Sequence, residues 1–180
     1  LHTVLTFGLF LGLGLMLIGW LTAKHILELS GTPESVLSEA MVYINIYFIS
    51  IPFMVIYNFG AAILRSYGDS QRPMYYLLIS GIVNVALNLL LVIVFKLGVA
   101  GVAISTVISN VLSTFLVLVH LYRRDDEFAF RPKQMKINKQ YLLKVLQIGT
   151  PAGIQGAIFS ISNVFIQSGI NSFGEYAIAG

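Results

Sequence analysis

Two asparagines and a threonine are the residues of this sequence best suited to hold a cation inside uncharged segments. Ser80, Asn84 and Asn88 recur every four residues, so they lie on one face of a helix. A second stripe has the spacing i, i+3, i+4, i+7 at Thr106, Ser109, Asn110 and Ser113. Amide and hydroxyl oxygens suit a hard cation such as Na⁺. None of these side chains can accept a proton, so proton coupling would require an ionisable group elsewhere.

The two stripes lie at matching depths in apolar segments that meet at Lys96. At about 1.5 Å per residue, Asn84, Asn88 and Thr106 lie about 18, 12 and 15 Å from one surface. A hydrocarbon core of about 30 Å places all three near its midplane, where transporters commonly bind substrates and coupling ions. The pattern leaves open a simpler role, because hydrogen bonds between membrane helices average about 0.6 kcal/mol and are ordinary packing devices.

The composition predicts that a bilayer, rather than water, surrounds most of the chain. The 180 residues are 57% hydrophobic and 11% charged, and their mean hydropathy is +0.83. Soluble domains average about 25% charged residues. Cysteine is absent, which excludes disulfides and Cys-ligated metals. We therefore expect an all-α integral membrane protein.

Five segments are long and apolar enough to be predicted as membrane spans: residues 3–23, 41–64, 74–95, 97–122 and 145–172. The first contains G-x-x-x-G at Gly8 and Gly12, which predicts close helix packing. Trp20, near its far end, is typical of an interfacial anchor. Pro52, near the middle of the second span, removes a backbone donor and predicts a kink there.

The connectors between the spans differ in charge from one side to the other. Residues 24–40 and 96 carry two Lys or Arg, whereas residues 65–73 and 123–144 carry nine. The positive-inside rule therefore predicts that the second side, together with residue 1, is cytoplasmic. The expected location is the cell membrane, as a multi-pass protein of a bacterial inner membrane. An odd number of spans in a chain without an initial methionine leads us to expect a fragment of a longer protein.

The order and spacing of several motifs resemble those of the MATE (multidrug and toxic compound extrusion) family of transporters. The motifs are AAILRSYGDSQRPM, then NVALN, LGVAGVAISTVIS and finally GTPAGIQ. The resemblance covers the whole chain and implies helices three to seven of a twelve-helix, two-lobe bundle. It implies that residues 1–122 are four helices of the N-terminal lobe and residues 123–144 the cytoplasmic inter-lobe linker. Residues 145–180 would then contain the first helix of the C-terminal lobe.

The resemblance also implies a cation site at Asn84, Asn88 and Thr106, with Na⁺ or H⁺ as the coupling ion. Asn88 departs from the aspartate of several relatives, and the key acidic residue of the family site lies on a helix that is not in this sequence. The other polar residues expected to line a substrate cavity are Ser80, Asn110, Gln155, Asn163 and Gln167. No cofactor is expected. The expected partners are the lipid bilayer, a small organic substrate and the remaining helices, but not nucleic acid.

The function that the resemblance implies is ion-coupled antiport that exports organic, often cationic, compounds. The nearest alternative is a lipid-linked oligosaccharide flippase of the same superfamily, whose cavity would carry cationic residues to hold pyrophosphate. All five predicted spans lack Lys and Arg, which favours export. An intramembrane enzyme would be expected to carry clustered His, Asp or Glu, but the three histidines lie at span ends, so an enzyme is not predicted. A purely structural protein would leave the polar stripes unexplained.

Overall fold

The computed structural model describes the backbone of residues 1–29, 34–124 and 129–172, and their side chains apart from those of residues 29, 35 and 164–172. These ranges are mostly helical. The helices are α1 (His2–Leu29), α2 (Glu34–Phe48), α3 (Ile51–Ser66), α4 (Gln71–Leu89), α5 (Gly98–Tyr122) and α6 (Lys139–Ser172). A π-helical stretch, Leu90–Val94, extends α4, and a single 3₁₀ turn, Pro132–Gln134, precedes α6.

Three helical segments of the described ranges are long and apolar enough to cross a membrane, namely His2–Glu28, Gln71–Val94 and Gly98–Tyr122. The α2–α3 pair, bent by 42°, makes a fourth if it is counted as one span. By length and composition, the described residues therefore give three or four candidate spans beside the five predicted from the sequence. The difference is α6, a continuous helix over the predicted fifth span, because its glycines, serines and glutamines lower its hydropathy.

The predicted kink at Pro52 is confirmed as a complete break between α2 and α3. Pro52 lies in the first turn of α3. It has no N–H to donate to the carbonyl of Phe48, so the series of i→i−4 backbone hydrogen bonds is interrupted there. The hydroxyl of Ser50 donates to the carbonyl of Tyr47 at 2.7 Å, and this bond satisfies one carbonyl next to the break. The predicted second span is therefore two helices joined by a short turn.

Glycines of α1 allow close packing against α3, the second half of the broken span, as the G-x-x-x-G motif predicted. A Cβ built at Gly12 would lie 2.6 Å from the Cα of Pro52. Built at Gly8, it would lie 2.5 Å from the ring of Phe59. Trp20, 42% exposed, donates its indole N–H to the carbonyl of Asn45 at 2.8 Å. The indole therefore also ties α1 to α2.

The chain divides into two compact units, one with α1–α5 (Leu1–Ile137) and one with α6 (Asn138–Gly180). The core of the first unit is a cluster of four buried side chains from α1, α3 and α5: Leu5, Leu64, Val117 and Leu121. Phe130 packs against this cluster. Residues 129–137, expected in the inter-lobe linker, thus belong to the first unit.

Candidate functional site

A ladder of amides and hydroxyls joins α4 to α5. The side-chain N–H of Asn88 donates to the amide oxygen of Asn84 at 3.0 Å. The side-chain N–H of Asn84 donates to the hydroxyl of Ser109 at 3.0 Å, and the hydroxyl of Ser105 donates to the amide oxygen of Asn88. Four polar side chains from two antiparallel helices thus form one continuous chain of hydrogen bonds.

The ladder leaves oxygen lone pairs available to a ligand. Each amide oxygen of Asn84 and Asn88 accepts one side-chain hydrogen bond, and an amide oxygen has two lone pairs. Both asparagines are partly buried, and their amides are held in place by the ladder. Two oriented carbonyl dipoles in a low-dielectric setting favour a cation, because their oxygens carry the negative ends of the dipoles.

The ladder follows a constant antiparallel register between the helices. A step of four residues forward on α4, from Asn84 to Asn88, corresponds to four residues back on α5, from Ser109 to Ser105. The same register places Ser80 opposite Ser113, and these serines are only 3% and 2% exposed. Their hydroxyls donate to carbonyls of their own helices. A polar seam three layers deep therefore runs along the hairpin.

Thr106, the third residue of the predicted cation site, lies next to the ladder rather than in it. Its hydroxyl donates to the carbonyl of Val102 on its own helix at 3.0 Å. The described contacts of Thr106 include no hydrogen bond to Asn84 or Asn88. Because its proton points to the helix backbone, the lone pairs of the hydroxyl remain free to accept. The structure therefore brings the two asparagines into contact and leaves Thr106 as a neighbouring acceptor.

The predicted cavity residues fall into two groups. Ser80 is buried in the α4–α5 interface, and Asn110 is half-buried on α5. Gln155 and Asn163 lie on α6, in the other compact unit. The side chain of Gln167 lies outside the described residues. The structure thus places Ser80 and Asn110 on the hairpin itself, and the cavity assignment of all five residues stays a prediction.

The ladder lies at mid-depth in the hairpin. From the turn at Lys96, the layer of Asn88 and Ser105 is about 12–14 Å away and the layer of Asn84 and Ser109 about 18–20 Å. A core about 30 Å thick places both layers in its central half.

The π-helical stretch begins at Leu90, two residues after Asn88, and such stretches often occur at functional sites. Among the described residues, no group of three or more His, Asp or Glu could hold a metal ion.

Two residues of the ladder were not among the predicted site residues. Ser105 was not in either stripe, and Ser109 was counted only as part of the α5 stripe. The signal that identifies them is their spacing of four residues, which matches the spacing of Asn84 and Asn88 across an antiparallel pair. Depth places Thr106 level with the two asparagines, but depth does not report which way a side chain points around the helix.

The chain is similar to the MatE family and to proteins named for multidrug resistance and export. The profile of the MatE family matches residues 1–90. The chain is 35% identical to "Probable multidrug resistance protein YoeA" of Bacillus subtilis, over 98% of this chain and 40% of that protein. It is 26% identical to "Multidrug export protein MepA" of Staphylococcus saprophyticus, over 96% of this chain and 38% of that protein. The chain thus spans about 40% of the length of these relatives.

Solved structures share the fold. A crystal structure of MATE in the bent conformation superposes with a TM-score of 0.87, covering 97% of this chain and 40% of that one at 22% identity. An inward-facing multidrug resistance MATE transporter of the MOP superfamily gives a TM-score of 0.74, covering 82% of this chain and 34% of that one, again at 22% identity. At this identity the superpositions show the fold alone, but the profile match covers half of the chain. This multi-pass membrane chain belongs to the MATE family.

Proposed function

We propose that the protein containing this chain is an ion-coupled antiporter that exports organic, often cationic, compounds, and that Asn84, Asn88 and Thr106 contribute to its cation site. The family membership supports transport rather than catalysis. The names of the relatives, which describe multidrug resistance and export, support organic compounds as the substrate class. The coupling ion is Na⁺ or H⁺.

The observation that carries the proposal is the direct contact between Asn84 and Asn88 at mid-depth. An interhelical hydrogen bond alone would need only one asparagine and one acceptor. Here two amides and two hydroxyls are linked, and each amide oxygen retains a lone pair. For Na⁺, these oxygens and the hydroxyl of Thr106 would replace part of the hydration shell. For H⁺, the same groups would hydrogen-bond to an acidic side chain from outside this chain.

The positions of the basic residues support export over flipping of a lipid-linked oligosaccharide. Lys and Arg are absent from the middle of all candidate spans in the described ranges. A pyrophosphate-binding cavity would be expected to carry them, because guanidinium and ammonium groups are the usual partners of phosphate oxygens. An uncharged cavity wall is compatible with a cationic substrate.

Drug efflux by variants of the full-length protein tests the site. We expect Asn84→Ala and Asn88→Ala to lower export strongly and Thr106→Val to lower it less, each with unchanged abundance in the membrane. The loss of one oxygen bound to a charge costs about 1.5–3 kcal/mol, or about 10- to 150-fold in half-saturating ion concentration. Asn58→Ala is the matched control, because the exposed amide of Asn58 bonds only its own helix.

Sodium dependence then identifies the ion. If Na⁺ couples transport, efflux driven by an imposed Na⁺ gradient persists at constant pH, and Asn84→Ala raises the Na⁺ concentration needed. If H⁺ couples transport, efflux follows the pH gradient with Na⁺ absent. Unchanged export in all three site variants would refute the assignment of the cation site.

A further inference from the structure

The segment after α5 folds back over the end of the bundle instead of leaving it. This segment, residues 129–137, is named the strap here. The backbone N–H of Phe130 donates to the carbonyl of Leu121 at 2.8 Å. The backbone N–H of Arg131 donates to the imidazole of His2 at 2.9 Å, and the hydroxyl of Thr3 donates to the carbonyl of Lys136 at 3.1 Å. The strap is therefore fixed at both of its ends.

These contacts place the strap at the level of a membrane surface. His2 and Thr3 are the first residues of one candidate span, and Leu121 is the penultimate residue of another. Ala129, at the start of the strap, is 6% exposed, and the ring of Phe130 stacks on His2 at 6.1 Å. The apolar side of the strap thus packs against the end of the bundle, at the depth where lipid headgroups begin.

The outer side of the strap is basic. Arg131, Lys133 and Lys136 are exposed, and within the described ranges no carboxylate lies within ion-pair distance of them. The guanidinium of Arg131 lies 5.7 Å from the ring centroid of Tyr122. Such stacking orients the guanidinium and leaves its edge N–H groups able to bind phosphate oxygens. Tyrosine at this depth is also typical of the headgroup layer.

We propose that the strap is a binding surface for anionic phospholipid headgroups, with Arg131, Lys133 and Lys136 as the residues that contact the phosphate. Basic clusters immediately next to membrane spans attract anionic lipids, and each Lys or Arg near the surface contributes to the attraction. The strap differs from an ordinary charged loop because its backbone is fixed. Its basic side chains therefore lose little backbone entropy when they bind.

The adjoining turn between α3 and α4 does not supply a competing charge. The carboxylate of Asp69 is paired with Arg72 at 3.1 Å. Asp125, Asp126 and Glu127, which precede the strap, lie outside the described residues. The test below therefore changes only residues of the strap, so that any influence of those three is the same in every variant.

The test is a thermal-shift titration of the purified full-length protein in detergent with short-chain phosphatidylglycerol. Short-chain phosphatidylcholine and inorganic phosphate are titrated in parallel. We expect phosphatidylglycerol to stabilise the protein and the effect to weaken with salt. Lys133→Gln/Lys136→Gln is expected to lower the apparent affinity about 25-fold, or about fivefold for each charge removed. Arg131→Gln is expected to lower it by a comparable single step, and Arg131→Lys by less.

The matched control is Lys24→Gln/Lys96→Gln, which removes two exposed lysines from the opposite end of the bundle. An equal loss in the two double variants would overturn the proposal, because it would show only an effect of net charge. Equal stabilisation by phosphatidylcholine would also overturn it. Equal stabilisation by inorganic phosphate would show that the strap binds a free anion rather than a lipid headgroup, and would overturn the lipid assignment. Transport is not measured, so this result is independent of the antiport proposal.

Discussion

Gly12 of α1 packs directly on Pro52, the residue that breaks the second span. A Cβ at position 12 would lie 2.6 Å from the Cα of Pro52 and 3.4 Å from its nitrogen. The proline interrupts the backbone hydrogen bonds of the second span, and the glycine lets a neighbouring helix approach the resulting bend. A side chain of any size at position 12 would have to push the bend away.

We therefore expect Gly12→Ala to destabilise the protein by about 1–3 kcal/mol, the usual cost of overpacking a rigid contact. Gly14→Ala is the control on the same helix, since a Cβ there meets nothing within 4 Å. It should be neutral or stabilise the helix by about 0.5–1 kcal/mol. Thermal unfolding of the full-length protein in detergent measures both. Equal midpoints for the two variants would contradict the packing described here.

A double-mutant cycle between Asn88 and Ser105 tests the amide ladder. Substituting both residues with alanine, singly and together, should give a coupling energy of about 0.6 kcal/mol and at most about 1.7 kcal/mol. The cycle between Asn88 and Thr106, with Thr106→Val, should give a coupling near zero, because the described contacts of Thr106 include no hydrogen bond to Asn88, whereas Ser105 makes one. A larger coupling for the second cycle would mean that Thr106, not Ser105, faces Asn88.

The difference between Ser105 and Thr106 shows what the sequence could and could not predict. Hydropathy predicts where the helices lie. Pro52 predicts a break, and the glycines of α1 predict close helix contacts. These predictions succeed because each depends only on the local sequence. Depth along a helix also follows from counting residues. The direction in which a side chain points does not follow from this count, because each step of one residue turns the direction by about 100° around the helix axis. That direction depends on which neighbouring helix is packed against it.

The π-helical stretch and the strap were beyond prediction for a related reason. The backbone N–H of Phe95 donates to the carbonyl of Leu90 at 3.1 Å, an i→i−5 bond that the apolar run LLVIV does not indicate. The strap lies in the segment that the family resemblance implies to be the inter-lobe linker. Its place on the bundle comes from two tertiary contacts of Phe130, with His2 and with the core cluster.

The turn between α3 and α4 is stabilised by Asp69. Its carboxylate accepts from the backbone N–H of Arg72 at 3.2 Å and pairs with the guanidinium of the same residue. Asp69→Ala should lower the free energy of unfolding by about 1 kcal/mol, because a capping bond and a partly exposed ion pair are lost. Ser70→Ala should have little effect, since the hydroxyl of Ser70 makes no capping bond. Chemical or thermal unfolding compares the two, and similar losses would contradict the assignment.

Thr114 links α5 to the first turn of α3. Its buried hydroxyl donates to the carbonyl of Phe53 at 2.6 Å. Thr114→Val keeps the shape of the side chain and removes the donor, so we expect a loss of about 0.6–1.7 kcal/mol in stability. Thr22→Val is the control, because the hydroxyl of Thr22 bonds the carbonyl of Ile18 on its own helix. An unfolding midpoint unchanged in both variants would show that this interhelical bond contributes nothing.

The constant register of the α4–α5 hairpin has a mechanical consequence. Because hydrogen bonds at two successive layers join the helices, sliding one helix along the other would break both interhelical bonds of the ladder at once. The hairpin is therefore expected to move as a single rigid body during any conformational change. An ion held by Asn84 and Asn88 would travel with it unchanged. Release of the ion would then depend on a third helix or loop that approaches or leaves the face of the hairpin.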